Sequence, residues 1–443
     1  MRVAEAVGQG LAKLGADTVF GVVGSGNFHV TNALIAGGAR FVAARHEGGA
    51  TVMADAWART TGRPGVVSVH QGPGLTNAMT GIAEAAKSRT PLLVLAAEAP
   101  EIRSNFHVDV AGLAAAVGAV GERIYSPASA LADVQRAYTT ALGRRTVILA
   151  LPLNVQAAPV VQHGEAATIQ AAPRTYPAGP APDAVTAIAA VLRGADQPVF
   201  IAGRGARGRA GRASARADLE RLADACGALL ATSAVANGLF RGNPWNLDVS
   251  GGFASPLAAE LITGADLIIG WGCSLNMWTM RHGKLIGTGA TLIQVDDDAT
   301  ALGAHRPVHL GVVGDVAETA RAVADALTGS EGGAGGGEPR SVRDKSGYRS
   351  PALRERIARE VRWRDVPFTD DSDGQRIDPR ALSIALDDLL PAERTVAVDS
   401  GNFMGYPSMY LSVPDEAGFC FTQAFQSIGL GLASAIGAAV ARP

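Results

Sequence analysis

The chain has 443 residues, 47% hydrophobic and 18% charged, which supplies apolar material for several cores and excludes a mainly disordered state. Its 39 basic and 41 acidic residues leave a formal net charge of −2, without the cationic surplus a nucleic-acid partner requires. Three distant cysteines, Cys226, Cys273 and Cys420, form no CxxC pair, which argues against a disulfide framework or structural zinc and fits a reducing cytoplasm.

The opening stretch MRVAEAVGQGLAKLG reads as an amphipathic helix without the apolar core of a secretory signal. Through residue 160, apolar runs at 18–23, 40–44, 65–70, 91–95 and 146–151 read as buried strands. Helical patterns such as 48–60 and 75–87 lie between them. Val/Ile/Leu-rich strands alternating with helices imply a parallel sheet covered on both faces. An Ala- and Pro-rich linker is expected over 161–182. A second α/β block follows over 183–328, with strands at 198–202, 228–231, 265–269 and 291–295. A second linker, 329–373, opens as GSEGGAGGGE and continues into a charged, partly helical stretch. The third block, 374–443, starts with a helix at 378–390 and a strand at 395–398. The fold class is therefore α/β, with three consecutive doubly wound parallel-sheet domains, the third incomplete. Its last segment, IGLGLASAIGAAVA at 428–441, reads as a buried core helix with no strand after it, so further residues are expected beyond Pro443. The segment is too short and too Gly-rich to span a bilayer, so no membrane role is expected.

Four motifs sit at strand ends, where parallel sheets bind ligands. GRGARG at 203–208 matches a dinucleotide fingerprint, G-x-G-x-x-G, but no acidic residue follows the next strand. The flavin or nicotinamide reading therefore competes with a plain tight turn. RHEGG at 45–49 presents Glu47 before a helix, as an acid or base or as a charge on the helix N-terminus. HQGPGLTN at 70–77 brings glycines that let backbone approach a ligand. DSGN at 399–402 and QAFQSIG at 423–429 are open to a turn reading as well. HExxH, GxSxG and Walker A patterns are missing, which removes the best signals for zinc peptidase, hydrolase and P-loop chemistry.

Taken in order, these stretches resemble the thiamine diphosphate-dependent enzymes of the acetolactate synthase and benzoylformate decarboxylase type. The resemblance is carried by VFGVVGSG (19–26), RHEGGATVMADAWARTTGRPGVV (45–67), QGPGLTNAMTGIAEA (71–85), SRTPLLVLA (88–96) and PVFIAGRGAR (198–207). It continues through ADLIIGWGCSLN (265–276), IQVDDD (293–298), DSGN and SIGLGLASAIGAAVARP. It implies a pyrimidine-binding domain at 1–160, a Rossmann-like central domain at 183–328 and the N-terminal part of a diphosphate-binding domain at 374–443. The implied cofactors are thiamine diphosphate and Mg²⁺. Glu47 is then the carboxylate that hydrogen-bonds the aminopyrimidine, and Gly72, Pro73, Gly74 and Asn77 close over that ring. Gly401 and Asn402 lie near the diphosphate, the Gln426 carbonyl faces the amino group, and Ile428 holds the cofactor bent. His29, His70 and His107 are candidates for substrate-side proton transfer, each equally readable as a structural histidine. The family's metal-binding Gly-Asp-Gly segment is expected beyond residue 443, so no metal ligand is assigned in this chain. The central GRGARG is read as an empty structural turn in preference to an FAD site. The implied chemistry is decarboxylation or carboligation of a 2-oxo acid or a related small carbonyl compound. Where acetolactate synthases carry a Phe-Gln pair, residues 101–113 hold Asn105, Phe106, His107 and Asp109, which speaks against acetolactate synthesis specifically. A homodimer or homotetramer is implied, with sites shared between subunits. The rival readings are a flavin- or nicotinamide-dependent oxidoreductase and a noncatalytic member of the same family.

Overall fold

A computed structural model describes residues 1–161, 169, 176–209, 211–329 and 347–443. The expected linkers 161–182 and 329–373 fall partly outside the described residues. Two compact units are formed, one from Met1–Arg174, Ala397–Gly401 and Cys420–Pro443, the other from Thr175–Val396 and Asn402–Phe419.

The first unit is built on strands β1 (Thr18–Gly21), β2 (Arg40–Ala43), β3 (Gly65–Val69), β4 (Leu92–Glu98), β5 (Val120–Arg123) and β6 (Thr146–Pro152). They form one parallel sheet in the order β2-β1-β3-β4-β6-β5. Alternate residues of each inner strand serve opposite faces. Leu93 and Leu95 join one core with Val7, Leu11 and Leu34, while Leu92 and Val94 join another with Ala50, Trp57 and Ile82. A strand buried on both faces reads as a continuous apolar run, which is why these strands are legible. On the second face lie the parallel helices Glu47–Thr61 and Pro73–Lys87.

The other unit has β7 (Pro198–Ala202), β8 (Leu229–Thr232), β9 (Asn246–Val249), β10 (Leu267–Trp271), β11 (Thr291–Asp296) and β12 (Leu310–Val313). Their parallel order is β12-β11-β10-β7-β8-β9. The glycines of GRGARG are spent on backbone packing. Gly203 and Gly205 donate N–H bonds to the Trp271 and Gly272 carbonyls, both 2.9 Å. A Cβ on Gly203 would lie 2.3 Å from the Gly272 oxygen. The chain then makes a single 3₁₀ turn, Arg204–Ala206, and the next α-helix starts only at Arg216.

Strands Val396–Val398 (β13) and Phe419–Phe421 (β14) make a small third sheet. The segment expected as a buried core helix forms helix Gly431–Ala441, but only one side of it is covered. Gly431, Ser434, Gly437 and Ala438 are buried, whereas Ile428 and Leu432 are about three-quarters exposed, at 74% and 77%. The reason is the close crossing of this helix with Glu47–Thr61, which only small residues allow: a Cβ on Gly437 would stand 2.1 Å from the Met53 carbonyl oxygen.

That crossing predicts that Gly437→Ala separates the two helices and lowers unfolding stability by about 1–3 kcal/mol. Gly194→Ala, at a helical glycine with open space where the methyl would go, is expected to be neutral or stabilising by up to about 1 kcal/mol. Denaturant unfolding of the two variants checks both.

Candidate functional site

The parallel helices Glu47–Thr61 and Pro73–Lys87 organise two clusters, one at each end. At the N-terminal end, His46 caps the first helix, its Nδ1 accepting from Gly48 N–H at 3.1 Å. Glu47 follows as the first helical residue, where a carboxylate complements the helix dipole. Asn77, one turn into the second helix, donates its Nδ2–H to Glu47 Oε2 at 3.0 Å. Gly74 lies beneath the other oxygen, with a would-be Cβ 3.5 Å from Oε1. Glu47 is half-buried.

The turn before the second helix needs its glycines. Gly72 has φ +62°, and a Cβ there would fall 2.7 Å from the Phe106 carbonyl oxygen. Pro73 then starts the helix with no N–H to satisfy. The loop after β1 closes over the same place. Asn27 is fully buried, accepts from Gly24 N–H at 2.8 Å and donates to Val22 O and Ser68 Oγ at 3.1 and 3.0 Å. This fixes Gly26, whose N–H donates to His70 Nδ1 at 3.2 Å. The His70 ring meets Phe106 edge-on, with centroids 5.6 Å apart. Glu47, Asn77, Gly72, Pro73, Gly74 and His70 are thus brought together. The other two histidines find different surroundings: exposed His29 stacks edge-on against Phe28, and His107 Nδ1 lies 3.3 Å from the Ala99 carbonyl.

At the C-terminal end of the same helices lies a cluster that motif reading misses. Arg59 is 5% exposed and its guanidinium donates to Asp55 Oδ2 through Nε (2.8 Å) and to Glu84 Oε1 through Nη2 (2.8 Å). Its Nη1 donates to the Phe421 carbonyl at 2.8 Å. Glu84 in turn accepts the N–H groups of Ala424 and Phe425, at 3.0 and 2.6 Å. The Lys87 ammonium sits 5.7 Å from the Phe425 ring centroid. The signal present in the sequence is a charged residue within an apolar helical face: Asp55 and Arg59 four apart, and Glu84 between alanines.

Beyond Phe425 the chain reaches Gln426, with φ +61° and its carbonyl accepting from Ser400 Oγ at 3.1 Å. Asp399 receives N–H bonds from Ser400, Gly429 and Leu430. Gly401 has φ +125°. Asn402 starts a short 3₁₀ turn counted in the other unit. The Gln426–Ile428 segment therefore belongs to the Arg59 end of the helix pair. From Asn77 to Lys87 the helix rises about 15 Å, and most of that rise separates the Glu47–Asn77 pair from the point on Glu84 where Phe425 is anchored.

Burial pushes the His70 pKa below the ordinary histidine value, and the nearby Glu47 carboxylate partly opposes that. Burial pushes Asp55 up in spite of Arg59. For Glu84, burial acts upward but Arg59 and the N–H groups of Phe425 and Ala424 outweigh it, leaving the carboxyl below its usual range.

Residues 1–136 match the family model described as thiamine pyrophosphate enzyme, N-terminal TPP binding domain, and residues 185–323 match the thiamine pyrophosphate enzyme central domain. The chain is 29% identical to a probable 2-ketoarginine decarboxylase of Pseudomonas aeruginosa, over 98% of this chain and 74% of that protein. It is 29% identical to a putative acetolactate synthase large subunit of Mycobacterium tuberculosis, over 92% of this chain and 72% of that protein. It is 28% identical to a sulfoacetaldehyde acetyltransferase of Rhodobacter capsulatus, over 100% of this chain and 76% of that protein.

His70 titration reports on the Glu47 end. Its lowered pKa means the unfolded chain binds the proton more readily, so this group's contribution to stability is lost as pH falls from about 6.5 through the folded value. NMR of the imidazole is expected to give a midpoint below 6.5, and Glu47→Gln moves it lower still by removing the opposing charge. A midpoint unchanged in the variant would separate the two residues electrostatically.

Proposed function

Since this chain belongs to the thiamine pyrophosphate enzymes, we propose that it makes or breaks a carbon–carbon bond at the carbonyl of a 2-oxo acid or a related small carbonyl compound. Decarboxylation and carboligation are the two outcomes in view, in line with the decarboxylase, synthase and acetyltransferase names of its relatives. The observation that carries the reading is the Glu47–Asn77 pair over the Gly72–Pro73–Gly74 turn. Those residues suit an aminopyrimidine: a half-exposed carboxylate for a ring nitrogen, beside a turn held tightly against the Phe106 backbone.

Thiamine diphosphate, when bound, supplies a nucleophilic ring carbon and an electron sink for the carbanion left by bond cleavage. The chain's own part is orientation and proton handling. Asn77 engages Glu47 Oε2, leaving Oε1 to hold a proton against the pyrimidine N1′. His70 and Phe106 wall the turn with edge-on rings; with its Nδ1 accepting from Gly26, a neutral His70 offers an Nε2–H donor near the substrate side. Asp399 accepts the N–H groups of Ser400, Gly429 and Leu430 and so holds the backbone on both sides of the 426–428 span. Among the described residues no group of three His, Cys, Asp or Glu side chains fits a metal ion, and no step is assigned to one.

The separation of the Glu47–Asn77 pair from the Glu84 anchor of Phe425 supports a site assembled from two copies, the Glu47 end of one meeting the Ile428 end of another. A homodimer or homotetramer follows. Among the described residues no helix is long and apolar enough to cross a membrane, and three buried free cysteines suit a reducing cytoplasm.

Glu47→Gln is expected to lower turnover of 2-oxo acids at least about 100-fold with the circular dichroism spectrum unchanged, in protein supplied with thiamine diphosphate and Mg²⁺. Turnover equal to the unsubstituted protein would remove Glu47 from the chemistry. Sedimentation velocity should give a dimer or larger; a monomer that turns over substrate would sink the shared-site arrangement.

A further inference from the structure

Ile428 cannot place itself. Its side chain is 74% exposed, so its position follows from how the backbone on either side is held. Downstream, Asp399 grips the N–H groups of Gly429 and Leu430. Upstream, the last fixed points before Gln426 are the N–H groups of Ala424 and Phe425, and both end on Glu84. The three residues Gln426, Ser427 and Ile428 thus form a short span pinned at both ends, with Ser400 Oγ donating to the Gln426 carbonyl inside it.

Glu84 has no exposed surface and lies on a helix of the first α/β domain, some 340 residues before the loop it holds. Its Oε1 also accepts from Ser88 Oγ at 3.1 Å and from Arg59. Arg59 adds its own bond to the Phe421 carbonyl. Two side chains therefore hold the 421–425 backbone at three points. N–H bonds to an ionised carboxylate are about twice as strong as neutral ones, and Phe425 itself is only about half covered, at 47% exposed.

We propose that Glu84, kept in place by Arg59, is a positioning residue that sets the Gln426–Ile428 span against the cofactor. The inference rests on the reading of that span as one side of a thiamine diphosphate site, and it adds a residue of the first domain to the determinants of the other side. Glu84 touches neither cofactor nor substrate; it acts through the backbone.

Full-length protein carrying Glu84→Gln, and separately Glu84→Asp, tests this. Gln keeps the shape but replaces one acceptor by a donor; Asp keeps the charge beside Arg59 but withdraws it from the loop. Hydrogen exchange should speed up about tenfold or more at Ala424 and Phe425 and through Ile428, while β3 and β4 stay protected. Calorimetry should show thiamine diphosphate binding weakened about tenfold, with Glu84→Asp between Glu84→Gln and the unsubstituted protein. Unchanged loop exchange, or unchanged cofactor affinity with the loop freed, overturns the proposal. Loss of β3 and β4 protection in both variants also overturns it, because Glu84 would then be a fold determinant. Failure of the unsubstituted protein to bind thiamine diphosphate is a separate result: it refutes the proposed function itself and, with it, a cofactor role for Glu84.

Discussion

A guanidinium taken out of water must find its counter-charges and use its donors, and Arg59 does so with two carboxylates and a backbone carbonyl. Removing such ions from solvent costs several kcal/mol each, so a buried network of this kind contributes more to specificity than to net stability. The directional bonds leave little freedom in where residues 421–425 sit on the helix pair. Asp55 Oδ1 is buried with only a loose approach from the Thr90 hydroxyl, and burial raises the Asp55 pKa. The geometry that suits Glu84 and Phe421 therefore leaves Asp55 incompletely satisfied.

The two ends of the helix pair differ in electrostatic logic. Glu47 opens its helix, where the exposed N–H groups favour a negative charge. Glu84 is in the last turn of its own helix, where the same dipole opposes it. The opposition is offset by Arg59 and by two backbone N–H donors from a distant segment. A carboxylate at a helix start can remain half-exposed and available; a carboxylate at a helix end persists because other groups bind it. The same residue type thus stays accessible at one end and holds structure at the other.

Legibility in the sequence followed burial. The inner strands β1, β3, β4 and β6 through β8, β10 and β11 are apolar on both faces and were read directly from their composition. β5, β9 and β12 escape, and all three are short, partly exposed edge strands: VGER and NLDV are broken by charged residues, and LGVV is a four-residue run with one buried residue. β2 was read as buried, yet as an edge strand it is half-exposed. Glu47, Asn77 and the Gly72–Gly74 turn, which the sequence singles out at strand ends, stand together in the structure. The Arg59–Glu84 network was not legible, because its partners are peptide groups, and any residue type has those. His29, His70 and His107 look alike in sequence; only the Gly26 and Phe106 contacts single out His70.

The long sequence separation of the Glu84 bonds has a meaning in time. Phe425 lies 341 residues after Glu84. At a synthesis rate of about 5–20 residues per second, it leaves the ribosome roughly 20–70 s later. All six strands of the first sheet are complete well before that. Until then Arg59 and Glu84 lack the peptide groups of Phe421, Ala424 and Phe425 as partners. The 421–425 segment is thus made after every strand of the first sheet, and the Gln426–Ile428 span that follows it is held on its upstream side only once those bonds form.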